Sequence, residues 1–182
     1  DRYDCLTDKY FTYCFDPEKR IKSYTKDDEV VEFYDTEYEM LNKFFQKYLE
    51  IRPTIISGWN SEFFDIPYLY NRAVRILGPE VANLLSPISQ VLYSEYKKKH
   101  TIAGVSSLDY LQLYRQFTFG QKSSYRLDYI GEVEVGMKKV DYEGTLNDLY
   151  ENDLQTFIDY NIRDVSCLLY TSPSPRDLNL SR

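Results

Sequence analysis

Two short segments hold the residues whose types could do chemistry. The first is Gly58-Trp59-Asn60-Ser61-Glu62-Phe63-Phe64-Asp65-Ile66-Pro67-Tyr68, and the second is Tyr160-Asn161-Ile162-Arg163-Asp164. The rest of the sequence narrows what that chemistry can be. Three cysteines, Cys5, Cys14 and Cys167, are an odd number without metal-ligand spacing, which fits incidental thiols in a reducing compartment better than a disulfide framework. The single histidine, His100, follows Lys97, Lys98 and Lys99 and reads as a solvated loop residue. Ser/His/Asp catalysis or a histidine-bound zinc would rest on it alone, so both are set aside. What remains is carboxylate and tyrosine chemistry, with a hard, oxygen-seeking cation such as Mg²⁺.

The elements that must position these residues follow from periodicity. Alternating and aromatic-rich runs predict strands over Tyr10–Phe15 and Val30–Tyr34, and a short buried strand over Thr54–Trp59. Leu41, Phe44, Phe45 and Tyr48 recur at helical spacing, predicting a helix from Thr36 to about Glu50. Ile66, Leu69, Tyr70, Ala73, Ile76 and Leu77 predict a second, with Pro67 near its start and Gly78-Pro79 at its end. After a lysine-rich loop, a strand is expected over Thr101–Leu108, then a helix through Tyr110, Leu111, Tyr114 and Phe117. Leu127, Ile130 and Val133 suggest a short helix, Gly136 to Gly144 a loop, and Leu154, Ile158, Ile162 and Val165 the face of a last helix. Strands alternating with helices imply an α/β domain, a sheet flanked by helices.

On this scaffold Asp65 falls between a strand and a helix. Taken by itself it reads first as an N-cap two residues ahead of a proline, and only second as a catalytic carboxylate. Tyr160 and Asp164, four residues apart, lie about 40° apart on one edge of the last helix's apolar stripe. They either point together into a cleft, or Asp164 pairs with a surface lysine or arginine.

Taken jointly, Asn60-x-x-x-Phe64-Asp65 and Tyr160-x-x-x-Asp164 resemble the second and third exonuclease motifs of family B DNA polymerases. Gly58-Trp59-Asn60, Phe64-Asp65-Ile66-Pro67-Tyr68, Asn71-Arg72, Leu84-Leu85-Ser86-Pro87, Gly104-Val105-Ser106, Leu108-Asp109-Tyr110, Leu113-Tyr114, Tyr142-Glu143-Gly144 and Tyr160-Asn161-Ile162 extend the likeness to the polymerases of large tailed phages, over residues 3 to 165. The resemblance implies an RNase H-like fold, a mixed sheet flanked by helices, and a proofreading 3′–5′ exonuclease domain of the DEDD class, tyrosine subtype. It implies Asp65 and Asp164 as ligands of a two-metal site for Mg²⁺ or Mn²⁺, with Tyr160 placing the attacking water or the scissile phosphate. Asn60 and Phe64 would hold a frayed 3′ end, and Lys139 and Arg126 would contact phosphate. Arg126 stands where the family usually has a serine. The implied partners are DNA (a single-stranded 3′ end and primer-template), the remaining polymerase domains and a sliding clamp. No membrane is implied, and the setting would be the cytoplasm of a bacterium or a phage host.

The family's first motif, an Asp-x-Glu on a strand, is not found and is expected upstream of Asp1, so the fragment is expected to be N-terminally truncated and impaired in activity. Asp27-Asp28-Glu29 is a charged loop, and Asp35-Thr36-Glu37 reads as helix capping, Thr36-x-x-Glu39 being a capping-box signature. Asp109, at a strand-to-helix junction, is read as structural. Residues 1–165 are expected to form the partial exonuclease domain. Residues 166–182, rich in Ser and Pro towards the end, are expected to be a non-native tail or a linker. The alternatives are a noncatalytic acidic interaction domain and a stand-alone nuclease of the same class.

The chain is 182 residues long with 22 Lys+Arg against 29 Asp+Glu, a formal charge of −7. Such a balance argues against nonspecific wrapping of nucleic acid, so charge alone points away from the partner that the motifs imply. Hydrophobic residues at 43% exclude a disordered chain, and no run approaches the ~18–20 apolar residues of a membrane span.

Overall fold

The computed structural model describes residues 2–4, 7–118, 120–136 and 144–171. In chain order these form strands β1 (Arg2–Asp4), β2 (Lys9–Phe15), β3 (Tyr24–Lys26) and β4 (Glu29–Tyr34), helix α1 (Glu37–Ile51), strand β5 (Ile55–Gly58), helix α2 (Asp65–Leu77) and helix α3 (Pro79–Ala82). A 3₁₀ turn, Asn83–Leu85, precedes strands β6 (Val91–Ser94), β7 (Lys99–Ile102) and β8 (Ser106–Asp109). Helices α4 (Tyr110–Phe117), α5 (Leu127–Val135), α6 (Leu146–Asn152) and α7 (Leu154–Thr171) complete them. The class is mixed α/β. The strands fall into three sheets, of order β1-β2-β4-β3, β5-β8 and β6-β7. Among the described residues no helix is long and apolar enough to cross a membrane.

The chain divides into two compact units, the first comprising Asp1–Thr12, Ser23–Val31 and Gly120–Arg182, the second Tyr13–Lys22 and Glu32–Phe119. In the first, β1 pairs antiparallel with the start of β2, and β3 with the start of β4. The Asp27-Asp28 dipeptide makes the β3–β4 turn, with Asp27 left-handed at φ 52°, so the acidic run there is hairpin chemistry. Helix α7 buries Leu154, Ile158, Ile162 and Cys167 against α5 and α6. Three of these are the expected apolar face. Cys167 carries the helix beyond residue 165 to Thr171, because Gly131 on α5 leaves room for its sulfur: a Cβ at Gly131 would lie 2.3 Å from it. Helix α6 is absent from the sequence-based expectation, yet Thr145 and Asp148 form a full capping box at its start.

The second unit is built around Phe45, Tyr48, Ile66, Ala73, Ala82, Leu85, Ile102 and Val105. Thr36 caps α1 by accepting the Glu39 N–H at 3.2 Å, Glu37 makes a two-point ion pair with Arg72 of α2, and Asp35 pairs with Lys19 at 2.6 Å. All three members of Asp35-Thr36-Glu37 are therefore spent on structure. Two expectations fail here. The single strand over Thr101–Leu108 is two strands, β7 and β8, separated by a turn in which Gly104 adopts φ +83° against Pro87, a conformation and a fit that exclude a side chain. The lysine-rich loop is the turn of the antiparallel β6–β7 hairpin. His100 is on β7, 9% exposed, its ring 4.8 Å from that of Tyr70 and 5.0 Å from that of Tyr93. Burial pushes its pKa down. It is a core histidine and not a solvated one: strand alternation turns His100 and Ile102 inward while Thr101 between them faces water.

Candidate functional site

Strands β5 and β8 run parallel, with Ile55 opposite Ser106 and Gly58 opposite Asp109. Both lead directly into helices at their carboxyl ends, the place where open α/β sheets present loops to ligands. The turn from β5 to α2, residues 59–64, carries two of the candidates, Asn60 and Phe64, and leads into the third, Asp65, and its geometry follows from four sequence choices. Gly58 has no Cβ because one would lie 2.7 Å from the Ser61 Cβ. Asn60 takes the left-handed conformation, φ 60°, which Asn tolerates better than most residues. The Asn60 carbonyl then accepts the N–H groups of Phe63 and Phe64 at 3.2 and 3.0 Å. Asp109, 4% exposed, closes the arrangement. Its carboxylate accepts the N–H of Asn60 at 3.1 Å, of Glu62 at 3.2 Å and of Leu111 at 3.1 Å. It thus caps α4 and clamps the neighbouring turn, so the structural reading of Asp109 holds. Trp59 packs on the same junction, its ring 6.1 and 5.8 Å from those of Tyr110 and Tyr114.

What the turn offers to solvent is aromatic and acidic. Phe64 is 67% exposed, and Phe63 and Tyr68 are exposed beside it, where apolar side chains do not stabilise the fold. Asp65 is the first residue of α2, and the cap position belongs to Phe64, which makes no side-chain capping bond. The capping reading of Asp65 is therefore replaced by a carboxyl at the surface of the helix's first turn. Although it reaches water, the crowding around it disfavours the charged form, and Asp109's negative charge adds to this. Its own N–H opposes them, and the net shift is above the ordinary carboxylate value.

The other candidates lie in the first unit. Tyr160 and Asp164 are half-buried on α7, one helical turn apart. Asp164 is near enough to Cys167 to help burial raise the thiol's pKa, while Arg163 opposes it. Arg126 is the residue before α5, its side chain 78% exposed and 3.7 Å from Asp128. Lys139 lies outside the described residues. Asn60, Phe64 and Asp65 are thus brought together by one turn, Tyr160 and Asp164 by one helix. Sequence reasoning gave no role to Glu62, at an unspecified position of the motif, or to Trp59, which it used only as part of the family likeness. Among the described residues no three His, Cys, Asp or Glu side chains cluster as a ready metal site. Asp65 and Asp164, each in its own unit, carry oxygen donors of the type a hard divalent cation takes.

Comparison with known proteins bears on the same segments. The model of the exonuclease domain of DNA polymerase family B matches residues 6–130, a stretch that includes Asn60, Phe64, Asp65 and Arg126. The DNA-directed DNA polymerase of Escherichia phage RB69 is 39% identical over 154 residues, which are 81% of this chain and 17% of that protein. That of Enterobacteria phage T4 is 39% identical over 138 residues, 72% of this chain and 15% of that protein. DNA polymerase 1 of Saccharolobus solfataricus is 28% identical over 162 residues, 82% and 16%. The chain spans less than a fifth of the length of these curated relatives. With the family model covering well over half of its residues, the chain belongs to the family B DNA polymerases, as part of their exonuclease domain.

Proposed function

We propose that the chain supplies one side of a 3′–5′ proofreading exonuclease site, on an RNase H-like fold, within a DNA-directed DNA polymerase. The observation that carries this is the β5–α2 turn, which holds an uncapped, partly desolvated Asp65 beside an exposed Phe64 at the carboxyl end of a parallel strand pair. Asp65 and Asp164 would hold Mg²⁺ or Mn²⁺. When bound, such cations supply Lewis-acid stabilisation of the leaving 3′-oxygen and lower the pKa of the attacking water. The protein's own groups do the rest. The Phe64 ring offers an exposed face to the terminal sugar or base, and base–aromatic contact of this kind contributes about 1–3 kcal/mol. The Asn60 amide donates and accepts at the frayed end. Tyr160 donates a hydrogen bond from its phenol to the water or the phosphate and positions it. Arg126 and Lys139 would meet backbone phosphates. The partners are a single-stranded 3′ end, primer-template DNA and the polymerase's other domains, with a sliding clamp beyond them.

The test is Mn²⁺ titration by calorimetry together with labelled single-stranded DNA. Wild-type chain binds Mn²⁺ and the oligonucleotide, Asp65→Ala and Asp164→Asn each lose the metal, and any 3′–5′ shortening of the label disappears with it. Metal affinity unchanged in both variants would refute the assignment and favour a noncatalytic role for the carboxylates.

A further inference from the structure

The β5–α2 turn has a second anchor besides Asp109. Lys99, the first residue of β7, places its Nζ 2.5 Å from the carboxylate of Glu62, with both side chains largely buried at 23% and 14% exposure. Glu62 stands at an unspecified position between Asn60 and Phe64, and its N–H is the one held by Asp109 at 3.2 Å. One residue of the turn is thus fixed through its backbone to β8 and through its side chain to the β6–β7 hairpin. The charges make the second link consequential. Glu62, Asp65 and Asp109 bring three carboxylates to one turn and its anchor, and Lys99 makes the only ion pair that the described residues provide to any of them. Removing it leaves Glu62 shielded from water without a counter-charge, a costly state that is relieved by swinging Glu62, and the turn with it, towards solvent.

We propose that Lys99 is a positioning residue of the exonuclease turn, acting through Glu62 to hold Asn60, Phe64 and Asp65 in the geometry that receives a DNA 3′ end. This rests on the functional reading above as far as DNA is concerned. The positioning itself does not.

Trp59 is the chain's single tryptophan and adjoins Asn60, so its quenching by acrylamide reads the turn directly. The comparison uses the full chain and Lys99→Gln, Glu62→Gln, their combination, Lys99→Arg and the charge swap Lys99→Glu/Glu62→Lys, well below their melting temperatures. Each neutralised variant is expected to raise the quenching constant about twofold as the turn opens locally, and to weaken binding of a labelled oligodeoxythymidylate about fivefold, the scale of a coupled pair. The double neutral variant should match either single one, and Lys99→Arg should behave as wild type. A pair that only stabilised the fold would lower the melting temperature without moving quenching or binding. Unchanged quenching in the single variants, or fully additive effects in the double, overturns the proposal. Should Lys99→Gln fail to fold, the charge swap decides, wild-type quenching supporting the proposal and raised quenching or loss of folding refuting it. If wild-type chain does not bind the oligonucleotide, the functional reading fails while quenching still settles the role of Lys99.

Discussion

Asp109 offers the sharpest measure of what holds the candidate site in shape. Asp109→Ala removes an anionic acceptor from three backbone N–H groups, those of Asn60, Glu62 and Leu111. A hydrogen bond to a charged group contributes about 1.5 kcal/mol net at the low end, so complete loss of the three approaches about 4–5 kcal/mol. Two effects offset part of this: water can reach the vacated acceptor positions from the turn's outer side, and Asp65 loses a like charge. The expected cost is then about 3 kcal/mol, a fall in Tm of about 6–12 °C for a chain of this size. Asp109→Asn keeps one oxygen for Asn60 and Leu111 but turns an amide NH₂ towards the Glu62 N–H, donor against donor, and should cost about half as much. Thermal unfolding followed by Trp59 emission reports it, because that ring packs on Tyr110 and Tyr114 at the same junction. A loss below about 1 kcal/mol for Asp109→Ala, or equal losses for the two variants, would refute the reasoning.

Three further outcomes follow from the same structure. His100 is held neutral by burial, its folded pKa below that of the unfolded chain, so its contribution to stability is complete above about pH 6.5 and is lost as pH falls through the folded value; urea midpoints at pH 7.5 and 5.5 should differ more for wild type than for His100→Phe. Gly131→Ala forces a Cβ to 2.3 Å from the Cys167 sulfur and should cost about 1–3 kcal/mol, most of it recovered by adding Cys167→Ala, whereas additive losses in the double variant would contradict the contact. Asn60→Gly keeps the left-handed backbone and loses the amide, while Asn60→Ala also pays about 1 kcal/mol of backbone strain; oligonucleotide binding should fall alike in both, and denaturant midpoints should separate them.

The elements that frame the site were legible because their signals are local. Leu41, Phe45 and Tyr48 are buried at the expected spacing on α1, and strand β5 and the helix stop at Gly78 stand where expected, although β5 is not the buried strand its apolar run suggests, Ile55 being exposed. The signals that misled were also local, but were decided by distant partners. Three lysines and a histidine read as a solvated loop until Val91–Ser94 pairs with Lys99–Ile102 and turns His100 inward. Thr145-x-x-Asp148 carried the start of α6 openly, yet the seven-residue helix behind it is too short to show a period. Asp65 looked like a cap because it precedes a proline; the Asp109 clamp, 44 positions later in sequence and invisible to periodicity, is among the contacts that set the turn so that Phe64 takes that place.

That displacement explains why the motif needs its particular spacing. A carboxylate used as an N-cap is consumed by the helix's own N–H groups and has little left to offer a cation or a proton. Moving the helix start by one residue, so that Phe64 occupies the cap and Asp65 the first turn, leaves the carboxyl with its own N–H and a partly desolvated setting that raises its pKa. The chain has to stabilise that arrangement by other means: a bare Gly58 against Ser61, a left-handed Asn60, a buried Asp109 and the Lys99–Glu62 pair. The segment therefore divides by task. Gly58, Ser61, Glu62 and the Asn60 backbone face inward and hold, while Phe63, Phe64, Asp65 and Tyr68 face water and present. A turn serving stability alone would bury its aromatic rings and let its aspartate cap the helix. This one does neither, and its exposed rings and uncapped acid are the features on which the proposed site rests.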